Sequence, residues 1–403
     1  MSSTASHVVR TTLRICAAVA SVAIAAAPSG AGRIADERSD NMRLVANVGL
    51  PGATDLEFTR DGYAVLTVNG SDAESGLWVI DVRTPTKPKK VGHLPCVGSG
   101  YDVGLVGDTA VMSIDSPSGN SSTAEDGCNL KGTEGREGIR LVDISNRSRP
   151  REVRFVETPC GSHTNVTFTK GGRDLVYVQS YPASTSGACP SAHGIISVVD
   201  ISKPAKAKIV SQPSVAPAVG CHDGSIHGDL AYMACLTEGQ VWDISDPLQP
   251  EILVHIRDVP DAIWHSSAVS NDGKTVAFGF ESFQAGAASC NGVSSGPTGA
   301  IWFYDVSDPT APIQHSYYSP PRMGDGICTA HNFSVVPGRD VLVTSWYSAG
   351  AMAVDFRDAD APQEMAHYEV ESGTSTWDAK YRKGYVFVGD TTRGLDVYKI
   401  KGL

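Results

Sequence analysis

A single short phrase returns along this chain at steps of roughly 40 to 60 residues, and that spacing constrains the fold more than any other feature. It reads GLWVIDVRTPTKPKKVG from Gly76, GIRLVDISNRSRPREV from Gly138 and GIISVVDISKPAKAKIV from Gly194. It returns as GQVWDISDPLQPEILVH from Gly239, AIWFYDVSDPTAPIQHS from Ala300 and GAMAVDFRDADAPQEMAH from Gly350, and a shortened seventh copy, GLDVYKIKGL, begins at Gly394. The shared aspartate falls at Asp81, Asp143, Asp200, Asp243, Asp305 and Asp355. Each copy alternates apolar and polar residues as a strand does, then turns at DxxDP or a variant, where proline blocks a helix.

Between the phrases lies a second unit, a hairpin. Its turns are Asp61-Gly62, Gly107-Asp108, Gly171-Gly172, Gly228-Asp229, Asp272-Gly273, Gly338-Arg339 and Lys383-Gly384, and glycine-containing pairs between apolar runs are strong hairpin signals. Hairpin plus phrase makes four strands, and the hairpins number seven. The last unit has three strands at the C-terminus, so the run from Met42 to Gly49 is expected to supply its fourth. The predicted fold is therefore all-β: a seven-bladed β-propeller of four-stranded blades, closed by an N-terminal strand that completes the last blade and leaves no sheet edge open. No helical periodicity of useful length is present.

The VDISDPxxP phrase resembles the LVIVD-repeat family of exported bacterial and archaeal β-propellers. Six copies match in register over nearly the whole chain after its N-terminus. The resemblance implies the propeller and names no single activity.

The first 31 residues read as a secretory signal peptide. Arg10 and Arg14 make a basic start, and Ile15 to Ala27 is an apolar run too short to span a bilayer. Residues 32–41 are expected as a flexible mature N-terminus and 42–403 as the propeller. The expected location is secreted or extracellular, the cell envelope included, with no membrane span and a monomeric state. Net charge is −11 for the chain. So acidic a protein is a poor partner for nucleic acid, whose phosphates demand lysine and arginine.

Cys16 lies inside the apolar run. Eight other cysteines remain, Cys96, Cys128, Cys160, Cys189, Cys221, Cys235, Cys290 and Cys328, and an even number in an exported chain favours disulfides. Placing them on the predicted blades gives an economical pairing: Cys96–Cys128, Cys160–Cys189, Cys221–Cys235 and Cys290–Cys328. Each bridge would pin a loop on the face that also carries the long insertions 115–137, 180–193 and 281–299. Long loops on a rigid scaffold usually carry function. Tyr181, Phe283, Trp346 and Tyr347 fall near these loops and could form an aromatic rim.

Aligning the seven hairpins on their turns exposes one chemically distinctive column: Thr54, Tyr101, His163, His222, His265, His331 and Trp377. The next column is Asp55, Asp102, Thr164, Asp223, Ser266, Asn332 and Asp378, each a short side chain with an oxygen. The first strand of each blade lines the channel, so these columns should ring one mouth. Imidazoles suit Zn, Cu, Fe or Ni, and neighbouring carboxylates can orient them. The metal-ligand candidates are therefore His163, His222, His265 and His331. Asp55, Tyr101, Asp102, Asp223, Trp377 and Asp378 are candidates for contacting a ligand. The same columns also admit a purely structural role, in which the side chains hydrogen-bond the backbone of the next blade.

Two functions follow as expectations. One is an exported binding protein whose looped, histidine-lined mouth takes a protein, glycan or small ligand. The other is a metal-dependent enzyme, such as a copper or other transition-metal oxidoreductase, with Cu or Zn as the divalent cofactor. The copper-containing selenium-binding propellers are loosely similar in having histidine-lined channels, and no motif matches them. No HExxH helix, Walker loop or GxGxxG is present.

Overall fold

A computed structural model describes residues 37–70, 73–96, 102–114, 128, 136–159, 161–180, 195–216, 220–282, 289–291, 298–321, 325–370 and 373–403, with backbone alone at 289–291 and 325–327. Seven antiparallel sheets follow one another as expected. The innermost strands are Ala53–Phe58, Val103–Val106, Thr164–Lys170, Asp223–His227, Trp264–Val269, Phe333–Val335 and Thr376–Arg382. Each touches the next, and the seventh touches the first, so the ring is closed. We number the blades 1 to 7 in that order. Blade 7 takes Met42–Gly49 as its outer strand, paired antiparallel with Gly394–Ile400.

The recurring phrase owes its residues to local geometry. In all six aspartate-bearing copies a side-chain Oδ1 accepts the backbone N–H two residues on, at Arg83, Ser145, Ser202, Ser245, Ser307 and Arg357. This Asx turn reverses the chain between the third and fourth strands. Hydrogen bonds from residue i+2 serve the charged form and hold each of these carboxyls below the usual range, those from its side chain more than its backbone N–H in every copy but Asp305. The phrase opens on glycine for a steric reason. Gly76, Gly138 and Gly394 have φ of +122°, +147° and +104°, and an added Cβ would sit within 2.2 Å of a carbonyl oxygen on the paired strand.

The core is layered between blades. Leu56, Leu66 and Ile80 of blade 1 pack against Phe387, Leu395 and Val397 of blade 7, all without exposed surface. Each such side chain contributes about 1.5–3 kcal/mol by leaving water. One charged pair interrupts blade 2: Arg140 Nη1 meets Glu152 Oε2 at 2.9 Å, with both side chains buried.

Part of the segment read as a flexible lead-in is tied to the ring. Glu37–Arg38 adds a fifth strand to blade 6, pairing with Glu369 and Tyr368, and Asn41 Nδ2 donates to Met365 O. Of the three long insertions, the described part that forms regular structure is Ser289–Asn291. It pairs antiparallel with Asp325–Ile327 in the lead-in to blade 6.

Two expected disulfides are present, Cys96–Cys128 and Cys221–Cys235. Cys328 is also disulfide-bonded. The pairs Cys160–Cys189 and Cys290–Cys328 involve side chains outside the described residues, as do Tyr101, Tyr181 and Phe283. Among the described residues, no helix is long and apolar enough to cross a membrane.

Candidate metal centre

The four histidines of the aligned column meet as a continuous arc. Ring centroids lie 4.6 Å apart for His163 and His222, 3.8 Å for His222 and His265, and 4.3 Å for His265 and His331. Trp377 continues the arc 4.2 Å from His331. Consecutive blades thus present consecutive rings. His222, His265 and His331 are buried and His163 is partly buried.

The backbone explains why the column turns to one place. His265 sits where the first strand of blade 5 slips register between Trp264 and Ser266, and Trp377 occupies the same irregularity between Thr376 and Asp378. Bulges of this kind re-aim a side chain out of the alternating pattern. His163 and His222 precede the first residues of their strands, and their N–H groups donate to Gln179 O and Ala234 O across the hairpin. His331 N–H donates likewise to Ser345 O.

Two residues that the aligned column does not contain complete the cluster. Glu281 follows the second strand of blade 5, Thr275–Phe280, and Tyr347 follows that of blade 6, Val341–Ser345. Glu281 Oε2 lies 3.2 Å from His265 Nε2, and its Oε1 lies 3.7 Å from His331 Nε2. The Tyr347 hydroxyl donates to Glu281 Oε1 at 2.5 Å. One donor atom from each of His222, His265 and Glu281 falls within 4.8 Å of the others, close enough to share a metal ion. Their alignment signal was weak, because second-strand ends carry no repeated residue type.

Burial sets the electrostatics. Loss of water drives the His222 and His265 imidazoles well below their usual range, and the neighbouring imidazoles add to the effect. His331 is lowered to about 3, again chiefly by burial, with the Trp377 carbonyl opposing. The Glu281 carboxyl is pushed up to about 8 by the same desolvation, against the Tyr347 hydrogen bond. Near neutral pH His222, His265 and His331 are therefore neutral beside a Glu281 carboxyl that retains its proton, the state in which a cation can replace that proton. His331 Nδ1 lies 2.5 Å from Trp377 O and must carry the proton there, which leaves Nε2 a lone pair toward Glu281. His265 Nδ1 is buried with no hydrogen-bond partner among the described residues.

The adjacent aspartates lie elsewhere. Asp55, Asp102, Asp223 and Asp378 line the central channel with Lys380 and Glu57, around a cavity of about 470 Å³. Three of them join blades: Asp55 Oδ2 accepts Val103 N–H at 3.0 Å, Asp102 Oδ2 accepts Asn165 N–H at 2.8 Å, and Asp378 Oδ2 accepts Leu56 N–H at 3.3 Å. Thr164 and Ser266, in the same column, donate to His222 O and His331 O of the next blade. Among the described residues the carboxylate beside the imidazoles is Glu281, not Asp223 or Asp378 as their sequence neighbours suggested. Burial raises Asp102, Asp223 and Asp378, with Asp223 reaching about 7.

No curated protein matches the chain. Among solved structures, the crystal structure of the computationally designed Ika8 protein aligns over 86% of this chain and 83% of its own, at 10% identity and a TM-score of 0.48. The family model for the LVIVD repeat matches residues 135–158, which span the third and fourth strands of blade 2. The chain is therefore a seven-bladed β-propeller in which one blade, the second, matches the model of the LVIVD repeat.

Proposed function

We propose that this protein is an exported metal-binding β-propeller that holds a divalent transition ion, Cu or Zn, between His222, His265 and Glu281, with His331 and His163 alongside. The observation that carries the reading is the convergence of three buried donors within 4.8 Å of one another. The donor chemistry agrees: imidazole nitrogen with one carboxylate oxygen suits Zn and Cu rather than Ca or Mg. The fixed tautomer of His331 and the placement of Glu281 by Tyr347 are the outer supports that such centres use. Disulfides and the N-terminal signal-like segment support export.

In this reading the protein's residues orient the donors, exclude water and supply the carboxylate that balances the ion's charge. A held Cu ion would offer one-electron chemistry and a held Zn ion Lewis acidity, so the metal-dependent enzyme reading depends on which ion is present. The test is metal analysis of untagged protein secreted from its natural signal, followed by titration of chelator-stripped protein with Cu(II) and Zn(II). About one equivalent per chain is expected, lost in His222→Ala and Glu281→Gln. Absence of stoichiometric metal, with no response to either ion, would sink the proposal.

A second reading is favoured by the channel itself. Its cavity of about 470 Å³ has the volume of a small-ligand site, and its walls carry carboxyls with Lys380 among them. A small polar ligand bound there would leave the metal titration unchanged and would be lost in Lys380→Ala.

A further inference from the structure

Tyr347 is buried, and it adopts a backbone conformation that a non-glycine residue rarely takes, with φ of +45°. Such strain persists only where the surroundings enforce it, and it clusters at functional sites. Here the enforcement is visible. Tyr347 O accepts the N–H of Gly350 at 3.1 Å, closing a tight turn, and the N–H of Thr376 at 3.1 Å across the blade boundary. The ring stands edge-on to His331 at 4.9 Å and to Trp377 at 5.9 Å. The hydroxyl then meets Glu281 Oε1.

Glu281 belongs to blade 5, and Tyr347 reaches it from blade 6. The carboxylate has two oxygens with different neighbours. Oε1 takes the phenol, and Oε2 is left facing His265 Nε2. An unrestrained glutamate would lose this distinction, because rotation about its last torsion is broad.

We infer that Tyr347 is the positioning residue of the metal centre: its phenol fixes Glu281 so that Oε2 is the oxygen presented to the ion, and its ring holds the His331 imidazole at the cluster. This inference rests on the metal-binding reading of His222, His265 and Glu281. Tyr347 touches the ligands and not the ion.

Tyr347→Phe tests it, since it keeps the ring and the backbone and removes one oxygen. Stripped wild type and variant are titrated with Cu(II), with circular dichroism as the check on folding, and the spectrum of the Cu(II) complex is recorded by electron paramagnetic resonance. The expected result is a 10–100-fold loss of Cu(II) affinity together with a changed spectrum, because the carboxylate oxygen is no longer held in one orientation. A purely structural tyrosine would leave the spectrum of the bound ion unmoved. If wild type binds Cu(II) and the variant binds it equally with the same spectrum, this inference fails and the metal reading stands. If wild type itself binds neither Cu(II) nor Zn(II), both are overturned.

Discussion

His265 Nε2 and Glu281 Oε2 lie 3.2 Å apart on one blade, His265 at a slip in the first strand and Glu281 just past the end of the second. Each is buried, and His265 Nδ1 has no hydrogen-bond partner among the described residues. A buried, unsatisfied polar atom costs about 1–3 kcal/mol. Leucine has a similar volume and no such atom. Leucine also takes the partner from Glu281 Oε2, so the two effects offset: the metal-free His265→Leu variant should melt close to wild type, while the rise in melting temperature on adding Cu(II) or Zn(II) disappears. Differential scanning calorimetry with and without ion reads both. A variant that is strongly destabilised without metal would assign His265 a structural role instead.

The blade-to-blade carboxylates have a separate, structural effect. Asp55 accepts the Val103 N–H, and both groups are buried. Asp55→Ala orphans that donor and should lower stability by about 1–3 kcal/mol, whereas Asp55→Asn keeps an oxygen in place and should cost less. Urea unfolding midpoints of the two variants rank them. Equal losses would mean that charge, not the hydrogen bond, is what Asp55 contributes.

The repeat made the blades countable because its residues answer to local geometry: an Asx turn wants the aspartate at Asp81 or Asp305, and a crowded third-strand start wants Gly76 or Gly138. The histidine column was legible for the same reason, since one hairpin template places His163, His222, His265 and His331 alike. Glu281 and Tyr347 were not legible as ligand and support. They occupy second-strand ends where the other blades carry unrelated residues, and only the approach of blade 6 to blade 5 gives them a shared purpose. The aspartates misled for a related reason. Sequence adjacency to His222 or Trp377 suggested contact, yet Asp223 and Asp378 line the channel, while His222 precedes its strand and Trp377 sits at a slip in its own.

Asp102 gives the pH dependence a sign. Burial, then the nearby Asp55 charge, raises its carboxyl well above the ordinary 3.8. A raised acid binds its proton more tightly folded than unfolded, so its contribution to stability is greatest at low pH. That contribution falls as pH climbs above the unfolded value. Asp102→Asn cannot ionise and removes this decline. Relative to wild type, the variant should be more stable at pH 8 than at pH 4, read as the difference in melting temperature at each pH. An opposite trend would show that the bonds from Asn165 outweigh desolvation.

Arg140 and Glu152 are a buried ion pair in blade 2, at 0% and 3% side-chain exposure. Removing one partner strands a charge. Glu152→Ala should cost about 3–5 kcal/mol, while the double replacement Arg140→Met with Glu152→Leu should recover most of the loss, as buried pairs exchanged for apolar groups often do. Chemical denaturation of the single and double variants decides it. A double variant as unstable as the single would mean that the pair's geometry, and not its charge, is needed by the blade.

The Cys221–Cys235 bridge spans 14 residues and ends one position before His222. By loop entropy a bridge of that span is worth about 3 kcal/mol against the unfolded chain. Cys221 and Cys235 are both buried, so alanine is the appropriate replacement at each. The double alanine variant should lose about that much stability. The second consequence concerns the site. His222 is held by its own N–H to Ala234 O at 2.7 Å, and the bridge fixes the residues flanking both of those groups. If the bridge helps to aim the imidazole, Cu(II) affinity should fall in the double variant although every donor atom remains. If affinity is unchanged at a temperature where the variant is folded, the strand pairing alone orients His222 and the disulfide serves stability only.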